Sequence, residues 1–160
     1  MAHDAYNISK NSNGIWFFGL AGAGKTFASQ VCKEIIENAF IIDGDDVREL
    51  ISFDLGFSKC DREIQIKRVM GIAEIAIKNN QVPIVSTVTM SEEIHRRCHQ
   101  LNILIINIVR PLDQLQKVRG IYATQSNVVG KDIKEYASEI MKLYNNGTAE
   151  FEERIKDFVK

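Results

Sequence analysis

Eight consecutive residues, Gly19-Leu20-Ala21-Gly22-Ala23-Gly24-Lys25-Thr26, satisfy every fixed position of G-x-x-x-x-G-K-[S/T]. Each residue type answers a need of phosphate binding. Glycines let backbone N–H groups turn inward around phosphate oxygens, and the start of a following helix adds positive potential. Lys25 is placed to reach the β- and γ-phosphates as a point charge, and the Thr26 hydroxyl to ligate Mg2+. Residues 15–18 read as a strand and residues 27–31 as a helix, which is the context the motif requires. ATP and Mg2+ are therefore the expected ligands.

A second constellation, Asp43-Gly44-Asp45-Asp46, follows another apolar run. Carboxylates at the C-terminal end of a parallel strand face the crevice in which such sheets bind ligands. One can hold the metal or its water, and another can accept the proton of an attacking hydroxyl. The competing reading is local: Gly44 makes a turn, and Asp45 or Asp46 caps a helix over 47–51. Two absences narrow the chemistry. The sequence has no Asn-Lys-x-Asp guanine-reading motif, and the run 82–86 ends in Ser86 rather than an aspartate. The acid must then come from the second strand, an arrangement suited to small-molecule phosphoryl transfer rather than to a GTPase or a motor.

These residues need a scaffold. Short apolar runs at 15–20, 39–42, 82–85 and 103–109 alternate with helical spacing at 25–38, 61–80 and 91–100. That alternation predicts an α/β fold, a parallel sheet flanked by helices on both faces. In the second long helix Ile64, Val69, Ile72, Ala73, Ala76 and Ile77 recur at three and four, while Arg62, Gln65, Lys67 and Lys78 fall mainly elsewhere. Residues 118–131 have no steady period and read as a lid, followed by a helix over 132–144. Asn145-Asn146-Gly147 ends that helix, and Thr148 caps a last one. Lys117, Arg119, Lys131 and Lys134 are candidates to close over transferred phosphate.

The 160 residues are 45% hydrophobic and 26% charged with net charge −1, which predicts a folded core. It argues against a surface built for nucleic acid polymers or anionic membranes. Three scattered cysteines, Cys32, Cys60 and Cys98, suit reduced thiols, and no apolar run reaches the ~20 residues of a membrane span. The chain reads as one soluble, cytoplasmic domain over 1–160 with a flexible lead-in over 1–13. His95 and His99, one helical turn apart, have a spacing that can bind metal. No carboxylate stands at a matching zincin position, so they read as a polar helix face.

Taken together, these motifs resemble the adenylylsulfate kinase family, P-loop enzymes that phosphorylate the 3′-hydroxyl of adenosine 5′-phosphosulfate. The family's Gly-Leu-Ser-Gly-Ala-Gly-Lys-Ser differs from Gly19–Thr26 only at Ala21 and Thr26. Its Asp-Gly-Asp-Asn-Val-Arg is similar to Asp43–Arg48, with Asp46 in place of Asn, and its Asp-Leu-Gly-Phe-Ser and Asp-Arg match 54–58 and 61–62. The resemblance covers roughly residues 14–110. It implies that Asp45 is the catalytic base, with Lys25 and Asp43 also catalytic and Thr26 and Asp43 at the metal. It further implies that Arg48, Phe57, Arg62, Gln65, Ser86, Thr89, Gly130 and Lys131 take the acceptor, an arginine gripping an anion and Phe57 packing on a base. Relatives are often dimers, so a homodimer is possible.

The departures lie on the acceptor side. The family has Asn where Gln65 stands, Ser-Pro where Thr89-Met90 stands, a longer lid, and a lid phenylalanine that is missing here. Losing one aromatic partner should weaken base binding by ~1–3 kcal/mol. The family's final strand is not evident near the C-terminus. Two acceptors therefore stand open: adenylyl sulfate, or a cytidine nucleotide as in the related cytidine diphosphoramidate kinase of capsule assembly. The missing guanine motif and the Asp-Gly-Asp pair argue against a nucleotide switch, and intact Lys25, Thr26, Asp43 and Asp45 argue against an inactive kinase-like domain, for which Gln65 and the short lid speak.

Overall fold

The computed structural model describes residues 12–118 and 140–159. Five parallel strands form one sheet: β1 (Gly14–Phe18), β2 (Ala39–Asp43), β3 (Val82–Thr87), β4 (Ile103–Val109) and β5 (Met141–Tyr144), in the order β2-β3-β1-β4-β5. The helices are α1 (Lys25–Ile35), α2 (Gly44–Leu50), α3 (Lys59–Lys78), α4 (Glu92–Leu101), α5 (Leu112–Val118) and α6 (Ala149–Val159). This is the expected α/β architecture, a parallel sheet with helices on both faces.

Strand alternation explains how so apolar a sheet is used. Ile15 and Phe17 of β1 enter a core with Val31 and Cys32 of α1 and Phe151 and Ile155 of α6. Trp16 and Phe18 enter the opposite core with Val69, Met70 and Ala73 of α3 and Ile94 and Cys98 of α4. Successive side chains point to opposite faces, and both faces are covered, so the strand has no polar side.

Helix boundaries follow from local chemistry. Ser58 caps α3 by accepting the Asp61 N–H (3.1 Å), and Ser91 caps α4 by accepting the Ile94 N–H (3.3 Å). Asn80 (φ 59°) and Asn102 (φ 56°) turn the chain into the left-handed region after α3 and α4. The helix expected over 47–51 begins three residues earlier, at Gly44, because the Asp43 side chain accepts the Asp45 N–H (2.9 Å) and acts as its cap. On α3, Gln65 is buried and Ile64 is 38% exposed, reversing the sequence reading. Burial on this helix is set by the inward row of Ile66, Val69, Met70 and Ala73.

One element was misread. Residues 141–144, assigned to a helix, form β5, with Ile106 opposite Met141 and Val109 opposite Tyr144. This supplies the final strand that the sequence did not reveal. Four residues are too few to show a period, and pairing with β4 decides their state. Residues 132–139 of that expected helix lie outside the described residues, as do 1–11. Asn13 bonds to the end of α4 through its N–H to Asn102 O (2.8 Å) and its Nδ2 to Leu101 O (2.8 Å). No helix among the described residues is long and apolar enough to cross a membrane.

The cysteines give a direct check on this packing. Cys32 and Cys98 are buried, which pushes their thiols up to about 12, whereas Cys60 is exposed. In a thiol-labelling assay on the native protein, one cysteine should react promptly, and the other two only on unfolding. Prompt reaction of all three would contradict the two-core arrangement.

Candidate functional site

The strand order places the C-terminal ends of β2, β3 and β1 side by side. Asp43, the last residue of β2, stands opposite Ser86 of β3, and Phe18, the last of β1, stands opposite Thr87. The Gly19 N–H continues this pairing by donating to Thr87 O (3.2 Å). A cleft of about 370 Å³ opens above these ends.

One wall is the glycine-rich loop. Gly22 (φ 85°) and Gly24 (φ 112°) occupy left-handed backbone, and Gly24 leads straight into α1. A Cβ on Gly24 would come within 2.7 Å of Asn145 Nδ2 and 3.0 Å of the Phe151 ring, so only glycine fits. Lys25 Nζ bridges the loop, donating to Gly19 O (2.7 Å) and Leu20 O (2.9 Å). Ala21, Gly22, Gly24, Lys25 and Thr26 line the cleft, while Leu20 and Ala23 are buried behind it. Thr26 Oγ1 donates to Asp43 Oδ2 (3.2 Å). A hydroxyl and a carboxylate converging in this way are hard oxygen ligands of the kind Mg2+ takes, so the donor set fits that ion.

Asp43 has two tasks, since its other oxygen caps α2 and thereby fixes Asp45 in the first helical turn. Both carboxylates line the cleft. Across from them stand Arg48 of α2, Phe57, and Arg62 of α3. Arg48 lies 4.4 Å and Arg62 5.7 Å from the Phe57 ring centre. Each guanidinium also holds the loop backbone: Arg48 Nη1 donates to Gly56 O (2.8 Å), and Arg62 Nε to Phe57 O (2.9 Å). Burial lowers the proton affinity of both; Asp45 and Asp61 oppose this at Arg48, whereas Arg48 itself adds to it at Arg62. The loop owes its shape to two carboxylates. Asp54 makes a two-pronged pair with Arg68 (2.6 and 2.9 Å), and Asp61 accepts the Gly56 N–H (3.0 Å).

Gln65 forms the floor beside the acid pair. Its Nε2 donates to Gly44 O (3.0 Å), which fixes the orientation of the amide, since a flip would set two oxygens together. Its Oε1 is the one buried side-chain polar atom without a hydrogen-bond partner among the described residues. Ser86 and Thr89 complete the wall. Ser86 Oγ lies 2.8 Å from Ser29 Oγ, and Thr89 O accepts from Thr87 Oγ1 (2.8 Å). Gly130 and Lys131, assigned to the acceptor side, lie outside the described residues, as do 119–131 of the expected lid; Val118 closes α5.

Sequence reasoning missed the supports. Asn145, in the turn after β5, is buried; its Nδ2 donates to Ala23 O (2.8 Å) and its Oδ1 accepts the Gly147 N–H (2.8 Å). Arg110, after β4, donates to Gly22 O (3.3 Å). Neither has a signal in a single sequence, because the partner is 122 or 88 residues away. Asn145→Ala should lower stability by about 1–2 kcal/mol, leaving the buried Ala23 carbonyl unpaired, and should weaken ATP binding with it. Calorimetry and thermal melting measure both, and unchanged ATP affinity would show that the loop keeps its shape without this strut.

A family model described as adenylylsulphate kinase matches residues 11–142. The chain belongs to the adenylylsulphate kinase family. The adenylyl-sulfate kinase of Deinococcus deserti is 33% identical over 130 residues, covering 79% of this chain and 68% of that protein. The adenylyl-sulfate kinase of a Picosynechococcus strain is 34% identical over 116 residues, covering 68% and 66%. The chain thus spans about two thirds of the length of these curated relatives. Among solved structures, the Mycobacterium tuberculosis APS kinase CysC in complex with AMPPNP and APS superposes with a TM-score of 0.79 at 20% identity, covering 93% of this chain and 96% of that one. At that identity the likeness establishes the shared fold.

Proposed function

We propose that this member of the adenylylsulphate kinase family transfers the γ-phosphoryl group of Mg·ATP to the ribose 3′-hydroxyl of a nucleotide-type acceptor, with adenylyl sulfate as the first candidate. The observation that supports it is one cleft lined by Lys25 and Thr26, the Asp43/Asp45 pair, and Arg48, Phe57 and Arg62. The relatives named adenylyl-sulfate kinases favour that acceptor.

Magnesium held by Thr26 and Asp43 would neutralise phosphate charge as it shifts toward the leaving group. The chain's own residues do the rest. Lys25 exchanges its loop carbonyls for phosphate oxygens, and the N–H groups around Gly22 and Gly24 supply fixed dipoles. Arg48 and Arg62 offer two partly desolvated cations to the anionic side of the acceptor, and Phe57 offers an apolar surface to its base. Asp45, set at the start of α2 by the Asp43 cap, takes the hydroxyl proton.

A cytidine nucleotide is the second reading, resting on the acceptor-side departures of the sequence, namely the shorter lid, the missing lid phenylalanine and Gln65 in place of Asn. A longer amide in the floor, with an unpartnered Oε1, changes which donor the acceptor must present. The test is ATP consumption by the purified chain against adenosine 5′-phosphosulfate, cytidine diphosphate derivatives and nucleoside monophosphates. Strong stimulation by one of them identifies the acceptor. A flat response across the panel would overturn the assignment.

A further inference from the structure

The pair of histidines on α4 takes no part in the chemistry above, and no residue of α4 lines the cleft. His95 is half-buried and His99 exposed, and their rings stack with centres 5.0 Å apart and planes 20° apart. Their Nε2 atoms approach to 3.1 Å. Without a metal, that contact requires one nitrogen to donate and the other to accept.

The same spacing has a second meaning. A divalent ion bound at ~2.0–2.1 Å by two imidazole nitrogens, at bond angles between octahedral and tetrahedral, holds them about 2.9–3.4 Å apart. The observed separation falls inside that window, so the helix already presents both nitrogens at chelating distance. The only chemical change needed is loss of the shared Nε2 proton, to solvent or to Nδ1 of the same ring. We propose that His95 and His99 form a bidentate site for a divalent transition ion of the zinc, nickel and copper class, separate from the phosphoryl-transfer cleft.

The surroundings act on a cation there in both directions. Burial first, and His99 next, lower the proton affinity of His95, which favours the neutral ring that ligates metal, while Glu92, one turn earlier, opposes this as a negative charge. Of the two arginines between the histidines, Arg97 is engaged by Glu74 and Gln100, whereas Arg96 is exposed, beside His95 and one turn before His99, and its charge lowers the affinity expected of the site. Imidazole pairs select borderline transition ions, whereas Mg2+ prefers the oxygens at Thr26 and Asp43. Among the described residues no set of three or more His, Cys, Asp or Glu side chains converges, so the remaining positions belong to water or to an exchangeable ligand. The site is therefore open and modest in affinity.

The experiment is a Zn2+ competition titration of the full chain against a chromophoric chelator, with excess Mg2+ to fill the oxygen site. Wild type should hold one more Zn2+ than His95→Gln or His99→Gln, and each variant should bind that ion at least about tenfold more weakly, as loss of a chelate partner requires. Circular dichroism checks that the variants fold. Imidazole nitrogen NMR supplies an independent readout, with both rings expected to move on adding Zn2+. Variants that compete for Zn2+ as well as wild type, or Zn2+ shifts that spare both rings, would overturn the proposal.

Discussion

Lys25→Ala should lower turnover by about 10³-fold or more with every acceptor that responds, while leaving the protein folded. Removing one preorganised donor from a transition state commonly costs about 10²–10³ in rate, and Lys25 adds a full charge to its hydrogen bonds. The structural cost is smaller. Within the loop Lys25 makes two bonds to carbonyls of Gly19 and Leu20, and their net worth is about 1 kcal/mol each. Steady-state ATP consumption and a thermal melt separate the two effects. Retained full activity would remove the phosphate site from the account.

The second large effect is expected at Asp45. Asp45→Asn should cut kcat by about 10²-fold, toward the lower end of the range for general bases, because phosphoryl transfer is largely dissociative and the hydroxyl proton leaves late. ATP affinity should hold, since Asp45 contributes neither loop contacts nor the Thr26–Asp43 oxygen pair. Asp43→Asn should behave differently. Its amide oxygen can still cap α2, but the loss of charge beside Thr26 should weaken Mg·ATP binding. Equal losses in kcat and in ATP affinity at both positions would show that the two carboxylates act as one unit.

The ATP side was legible because its information is local. Gly19 to Thr26 is contiguous, and a strand before and a helix after suffice to aim it. The acid pair was legible for the same reason, although the double use of Asp43 as cap and cleft ligand was not. Spacing offers Asp45 or Asp46 as the cap, but Asp43 takes that place with one oxygen and accepts the Thr26 hydroxyl with the other. The acceptor wall was readable only as named residues. That Arg48 and Arg62 converge on Phe57 depends on the 54–61 loop, which Asp54 and Asp61 hold through partners fourteen and five residues away. Gln65 escaped the periodicity because one polar residue on an inward face looks like a register error until its bond to Gly44 is seen. β5 escaped because a four-residue edge strand contains less pattern than the partner that recruits it.

The dependence of Gly19–Thr26 on Asn145 and Phe151 also bears on how the protein is made. A ribosome would deliver the phosphate loop more than a hundred residues before its keystone. At about 5–20 residues per second, the emerging polypeptide would spend several seconds or more with an unlocked nucleotide grip. During translation the loop would thus lack the contacts of Asn145 and Phe151 until α6 docks.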